Sequence, residues 1–145
     1  MESINRSALV PYTPQEMFRL VSDIESYPAF LPWCHAARIL EQGIDEVRAT
    51  IEFSVSGISK SFTTRNRHQV NKMIEMHLVD GPFSRLCGCW RFDPLGDAGS
   101  KIALYLEYDF SNRMLGMVIG PVFNQIANSL VDAFDKRAVE IYGER

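Results

Sequence analysis

Apolar and polar positions follow two different rhythms along this chain. From Met114 to Tyr142 the apolar residues recur as Leu115, Val118, Ile119, Val122, Phe123, Ile126, Leu130, Val131, Phe134, Ala138 and Ile141. Steps of three and four put them on one side of a 3.6-residue helix. At about 1.5 Å per residue this helix would be roughly 43 Å long, longer than an ordinary strand. Burying eight or so such side chains contributes on the order of 12–24 kcal/mol of gross hydrophobic stabilisation. A stripe of that size needs a partner surface, and the residues upstream read as the sheet that supplies it.

Between Cys34 and Phe110 the rhythm changes to strict alternation, with turn residues at regular intervals. Strands are expected near 34–42, 46–56, 59–70, 73–79, 85–93 and 100–110, broken at Gly43, Gly57, Asn71-Lys72, Asp80-Gly81-Pro82 and Pro94–Gly99. Connections this short predict one antiparallel meander. Its inner face would carry Val47, Ala49, Ile51, Phe53, Val55, Ile74, Met76, Leu78, Leu86, Trp90, Phe92 and the even positions from Ile102 to Phe110. Upstream, residues 4–10 read as a further strand. Thr13-Pro14-Gln15-Glu16 is a capping box with proline at the first helical position, opening a helix that carries Met17, Phe18, Leu20, Val21 and Ile24. Tyr27-Pro28-Ala29-Phe30-Leu31-Pro32-Trp33 allows at most a short helical turn. Its four large apolar side chains suit a core wedge, or a lip over something apolar. The sum is a single α+β domain over residues 1–145, a curved antiparallel sheet of six to seven strands around a C-terminal helix.

One hairpin predicts its own register. With Gly57-Ile58 as a two-residue turn, Phe53 lies opposite Phe62, Ile51 opposite Thr64, Ala49 opposite Asn66 and Val47 opposite His68. On the other face Arg48 then meets Arg67, with Arg65 beside it and Glu52 diagonal. Like charges directly opposite cost stability. The patch is either solvated and offset by Glu52, or it meets an anionic partner.

Composition narrows the setting. With 46% hydrophobic and 23% charged residues among 145, the chain is expected to be globular. The longest apolar run, Met114–Phe123, is about half a bilayer span, so no transmembrane segment is expected. The N-terminus lacks a basic region followed by an apolar run, and three cysteines fit a reducing compartment; a cytoplasmic location follows as an expectation. A net charge of −3 argues against non-specific coating of nucleic acid, although eleven of the fifteen basic residues are arginine, the side chain suited to phosphate.

Catalytic chemistry is sparse. Cys87-x-Cys89 puts two thiols on one strand face without further ligands in reach, His35, His68 and His77 are scattered, and no phosphate loop or nucleophile elbow occurs. No metal site and no catalytic constellation are expected. Geometry is more suggestive. A straight helix laid in a curling sheet touches at its ends and can leave an apolar gap. Met114–Phe123 is apolar all round and holds Gly116, Gly120 and Pro121, the last expected to kink or restart the helix. The gap would be lined by Phe53, Phe62, Trp90, Met117, Val118, Phe123, Ile126 and Leu130. Tyr27, Phe30, Leu31 and Trp33 would form its lip, and Thr64, Asn66 and His68 its few polar groups. The competing expectation is a core packed solid.

The run Val21-Ser22-Asp23-Ile24-Glu25-Ser26-Tyr27-Pro28-Ala29-Phe30-Leu31-Pro32-Trp33-Cys34 resembles the signature of the coenzyme Q-binding, START-like proteins. Ile58–Asn66, Leu78–Phe83, Trp90-Arg91-Phe92 and Gly120–Phe123 are similar to their bacterial branch, the ribosome association toxins. The resemblance spans nearly the whole chain and implies the helix-grip (START/Bet v 1-like) fold. Through its mitochondrial members it implies non-enzymatic binding of ubiquinone, an isoprenoid, in support of respiratory electron transport. Through the bacterial branch it implies a toxin that binds the large ribosomal subunit and blocks subunit association, for which Arg48, Arg65 and Arg67 are the candidate surface. Peripheral membrane contact would accompany the first role. The group is also called polyketide cyclase/dehydrase and lipid transport; in a cyclase, His68 alone is placed to act as acid or base.

Overall fold

The computed structural model describes residues 2–55 and 57–145. Strand β1 (Glu2–Val10) is followed by helix α1 (Pro14–Ser22), a 3₁₀ helix (Ile24–Ala29) and the strands β2 (Cys34–Gln42), β3 (Glu46–Val55), β4 (Ile58–Gln69), β5 (Met73–Asp80), β6 (Phe83–Leu95) and β7 (Gly99–Phe110); α2 (Arg113–Tyr142) completes the chain. The seven strands form one curved antiparallel sheet in the order β1-β7-β6-β5-β4-β3-β2. β2–β7 are the expected meander. β1 pairs with β7 at the far edge, Ile4 opposite Leu106 and Val10 opposite Ser100, so α1 and the 3₁₀ helix carry the chain across to β2. The capping box forms: Thr13 Oγ1 accepts from the Glu16 amide at 3.2 Å, and Glu16 Oε1 accepts from the Thr13 amide at 3.0 Å.

Two details differ from the sequence reading. Val55 pairs with Ile58, so the β3–β4 reversal lies one residue earlier than Gly57-Ile58. Phe53 therefore faces Lys60, Ile51 faces Phe62, Ala49 faces Thr64, Val47 faces Asn66, and Arg48 faces Arg65. The slip is two residues along the partner strand, and because side chains alternate with period two, every residue keeps its face. Ser56, expected as the last residue of β3, and the side chain of Val55 lie outside the described residues. The second difference is that α2 runs unbroken through Pro121 instead of restarting there. Pro121 is exposed and lacks an N–H to donate to the Met117 carbonyl, and Met117 itself lies in solvent.

The core lies between α2 and the concave face of the sheet. α2 buries Ile119, Phe123, Ile126, Ala127, Val131, Phe134 and Ala138. Its backbone comes closest to β1, β7 and α1, and stands off from β3–β5. Two aromatic clusters bridge that gap. Phe123 sits among Tyr108 (4.8 Å between centroids), Phe83 (4.9 Å), Phe53 (6.0 Å) and Phe62 (6.2 Å). Phe134 packs edge-on to Phe30 and Trp90, each at 5.3 Å, and to Tyr27 at 5.4 Å. By length and mean hydropathy α2 could cross a bilayer, which the sequence reading did not anticipate; its buried underside is the core itself.

α1 seals one end of the sheet by setting Phe18 edge-on to His68 (5.4 Å, 84°) and to Phe92 (5.6 Å). The His68 Nε2 is buried without a hydrogen-bond partner among the described residues. Burial holds its pKa below the ordinary imidazole value, with Asp45 opposing the shift. On β6, Gly88 is a site of close approach: a Cβ there would lie 2.0 Å from the Tyr105 carbonyl oxygen and 2.9 Å from the Leu106 Cα.

Gly88→Ala should therefore lower stability by about 3 kcal/mol, the upper end of overpacking costs, and an unchanged urea midpoint would contradict the crowding. For His68 the unfolded chain takes up a proton at higher pH than the folded one. Stability is then complete above about pH 6.5 and is lost as pH falls through the folded value. His68→Leu should flatten the slope of stability between about pH 7 and pH 5; equal slopes in the two proteins would remove His68 as its source.

Candidate functional site

Because α2 stands off from β3–β5, its underside and the strands do not close between the two aromatic clusters. Phe123 and Phe134 are eleven residues apart, about 16 Å along the helix. Between them Ile126, Ala127 and Leu130 face a cavity of about 90 Å³. The opposite wall is Ala49, Ile51 and Phe53 of β3, Phe62, Thr64 and Asn66 of β4, Met76, Leu86, Trp90, Leu104 and Leu106. Ile24, Tyr27 and Trp33 border it from the 3₁₀ segment. Drug-sized ligands occupy pockets of roughly 300–1,000 Å³. The space as it stands takes a ring or a short stretch of chain, and anything larger must push the aromatic clusters or α2 aside.

The polar content of the cavity is one pair. Thr64 and Asn66, both 7% exposed, point inward from β4, and Thr64 Oγ1 donates to Asn66 Oδ1 at 2.8 Å. That bond occupies the carbonyl side of Asn66, so its amide nitrogen is the donor this wall offers a ligand. Tyr27, at the rim, turns its hydroxyl away and donates to the Val21 carbonyl; burial raises its pKa far above the usual phenol value. Cys34, also buried, is pushed up to about 11 by burial, so it stays a thiol.

Of the residues named from sequence, Tyr27, Trp33, Phe53, Phe62, Thr64, Asn66, Trp90, Phe123, Ile126 and Leu130 meet at the cavity. Five do not. Leu31 is 1% exposed and belongs to the core, and Phe30 is wedged between Phe134 and the Arg137 guanidinium, 4.9 Å above its ring. His68 is occupied by Phe18. Met117 and Val118 lie on the outside of α2, 74% and 52% exposed, because an apolar-all-round segment gave no signal of which side faces inward. Nine lining residues are absent from the expected set: Ala49, Ile51, Met76, Leu86, Leu104 and Leu106 on the inner face of the sheet, Ala127 and Phe134 on α2, and Ile24. For the sheet residues the signal is the inner-face alternation itself, and for Phe134 it is the eleven-residue spacing from Phe123, three helical turns on the same face; Ile24 carries no such signal.

The outer-face arginines are arranged differently from expectation. Arg65 pairs with Glu46 at 2.9 Å and Arg48 lies 3.8 Å from Glu41, so Glu46 and Glu41 do the offsetting assigned to Glu52. Arg67, opposite Glu46 in the ladder, has no carboxylate within 4 Å among the described residues. A shallow polar groove of about 220 Å³ runs between Glu46, Arg65, Arg67 and His77. Cys87 and Cys89 are on this outer side of β6, and no three metal-ligating side chains cluster among the described residues.

Comparison with known proteins places this geometry. The family described as polyketide cyclase/dehydrase and lipid transport matches residues 10–135. The chain is 45% identical over 145 residues to the ribosome association toxin RatA of Escherichia coli (strain K12), covering 100% of this chain and 92% of that one. The mitochondrial coenzyme Q-binding protein COQ10 homolog B of Xenopus laevis is more distant, 24% identical over 97% of this chain and 59% of its own. A START superfamily protein from Mycobacterium smegmatis shares the fold with a TM-score of 0.80 at 19% identity, covering 96% of this chain and 98% of that one. A curved seven-stranded sheet gripping a long C-terminal helix, matched along nearly its whole length in sequence, makes this chain a START-like member of the polyketide cyclase/dehydrase and lipid transport family, grouped with the RatA proteins.

Proposed function

We propose that this protein associates with the ribosome and inhibits translation, docking on the large subunit so that the small one cannot join. The observation that carries this reading is the 45% identity, over the entire chain, to a protein named for ribosome association. The surface we assign to it is the outer face of β3 and β4, where Arg48, Arg65 and Arg67 stand together. Arginine forks suit the phosphate backbone of RNA. Glu46 and Glu41 offset two of the three charges, so Arg67 is the member best placed to take a phosphate.

A second reading is favoured by the cavity. Its walls are apolar except for Thr64 and Asn66, which suits a hydrophobic molecule with a hydrogen-bond acceptor at one end. An isoprenoid quinone such as ubiquinone has that chemistry, with a ring carbonyl for the Asn66 amide. The ring would enter first, and the tail would leave past Trp33 and Leu130.

Pelleting with purified large subunits tests the first reading. Binding should weaken with salt, and Arg67→Gln should weaken it more than Arg65→Gln and reduce the salt slope by about one. Pelleting unchanged in the triple Arg48→Gln/Arg65→Gln/Arg67→Gln protein would exclude this face, and absence of pelleting would exclude the function. For the second reading, a short-chain quinone should quench Trp33 and Trp90, and Asn66→Leu should weaken its binding about 3–10-fold, the worth of one neutral hydrogen bond. Equal affinity in both proteins would remove Asn66 from the site.

A further inference from the structure

The strand ladders bring two further arginines into line with the three of the β3–β4 hairpin. On β2, Arg38 pairs with Thr50, which pairs with Thr63; the two threonine hydroxyls meet at 2.7 Å on the convex face. Two residues along the ladder, Arg48 stands opposite Arg65. Two farther along β4 comes Arg67, opposite Glu75. Two farther again is Gln69, whose partner Met73 pairs with Arg91 of β6. Arg38, Arg48, Arg65, Arg67 and Arg91 therefore form one oblique stripe across the face from β2 to β6. It crosses four strand spacings and six residues of ladder, which at about 4.8 Å and 3.3 Å each make it roughly 28 Å long.

Arg38, Arg65, Arg67 and Arg91 are exposed, and Arg48 keeps 40% of its side chain in solvent. The two central members are attended by Glu41 and Glu46. Arg38, Arg67 and Arg91 have no carboxylate within 4 Å among the described residues. On β5 the stripe passes Glu75, which lies 3.8 Å from the His77 imidazole. A further convex-face arginine, Arg85, lies off the line and faces Glu107 at 3.6 Å. The chain as a whole carries a net charge of −3, so this alignment is not the by-product of a basic surface.

A line of cations is complementary to a linear polyanion. A lipid surface is flat and would touch a convex face at one patch, leaving the ends of the stripe unmet. Guanidinium forks take phosphate oxygens two at a time. We propose that one strand of RNA crosses the convex face along this stripe, its phosphates taken in succession by the five arginines, with Arg38 and Arg91 holding the two ends. The choice of RNA rests on the ribosome reading. A contact of this kind positions the backbone and reads no sequence.

Pelleting of the full chain with purified large subunits over a series of salt concentrations tests the track. Arg38→Gln and Arg91→Gln should each weaken association about 3–10-fold near 0.1 M salt and lower the salt slope by about one. Their losses should multiply in the double variant, because the two positions are too far apart to couple. Arg85→Gln makes the same charge change on the same face, off the line, and should leave the slope unchanged. All three positions are exposed, so thermal unfolding should not move. Polyuridylate should displace the protein from the subunits, and polyglutamate at equal charge concentration should not. The track is overturned if either end variant binds with wild-type affinity and slope; the ribosome reading then survives wherever Arg67→Gln still weakens binding. An equal loss in Arg85→Gln would assign the effect to overall charge and also overturn the track. Displacement by polyglutamate as strong as by polyuridylate would overturn RNA as the occupant. If wild type does not pellet, the reading and the track fall together.

Discussion

The structure depends on where α2 is fastened. Its backbone lies close to β1, β7 and α1 and away from β3–β5, so half of the sheet reaches the helix only through long side chains. Phe123 and Phe134 are those bridges, each surrounded by rings from the sheet or the 3₁₀ segment. Between them the residues facing the helix are small or of medium size, Ala49, Ile51, Met76 and Leu104, and they do not span the distance. A packed interior has few voids larger than a water molecule. The space left here is therefore a property of the architecture, set by sheet curvature and by the separation of two phenylalanines.

Most of this was legible in the sequence because it is written in periodicity. Among the described side chains, alternation assigned the inner face of β3–β7 correctly, and it did so although the register of the β3–β4 hairpin differs from expectation, since a two-residue slip leaves each side chain on its side. The exchange of partners mattered only on the outer face, where it brought Arg48 against Arg65 and placed Glu46 within reach of Arg65. What periodicity cannot resolve is a segment without contrast. Met114–Phe123 has no polar row to mark its outside, and Met117 and Val118 were placed under the helix when they lie above it. Long-range contacts are equally silent: nothing near His68 in sequence announces that Phe18, fifty residues away, occupies it.

Electrostatics on the convex side illustrate how a charge cluster is made tolerable without being erased. Each of Arg48 and Arg65 is answered by a glutamate from the neighbouring strand or turn. Exposed pairs of this kind contribute little to stability, and the guanidinium forks they hold remain at the surface. A glutamate competes with a phosphate for the same fork, so the pairs set how strongly an anionic partner must bind before it displaces them. Arg67 carries no such competitor among the described residues.

The family name includes a cyclase, and the chemistry of this cavity bears on that. General acid–base catalysis needs a group whose pKa lies near the working pH and whose proton can reach the substrate. The side chains that titrate near the cavity fail on one count or the other. Tyr27 is bonded to a carbonyl outside it and held protonated by burial, Cys34 is pushed up to about 11, and His68 is turned into the packing of Phe18. The two polar groups that do face the space, Thr64 and Asn66, do not ionise in the physiological range. They can orient a molecule by a hydrogen bond and exclude the wrong one by leaving an amide unpaired.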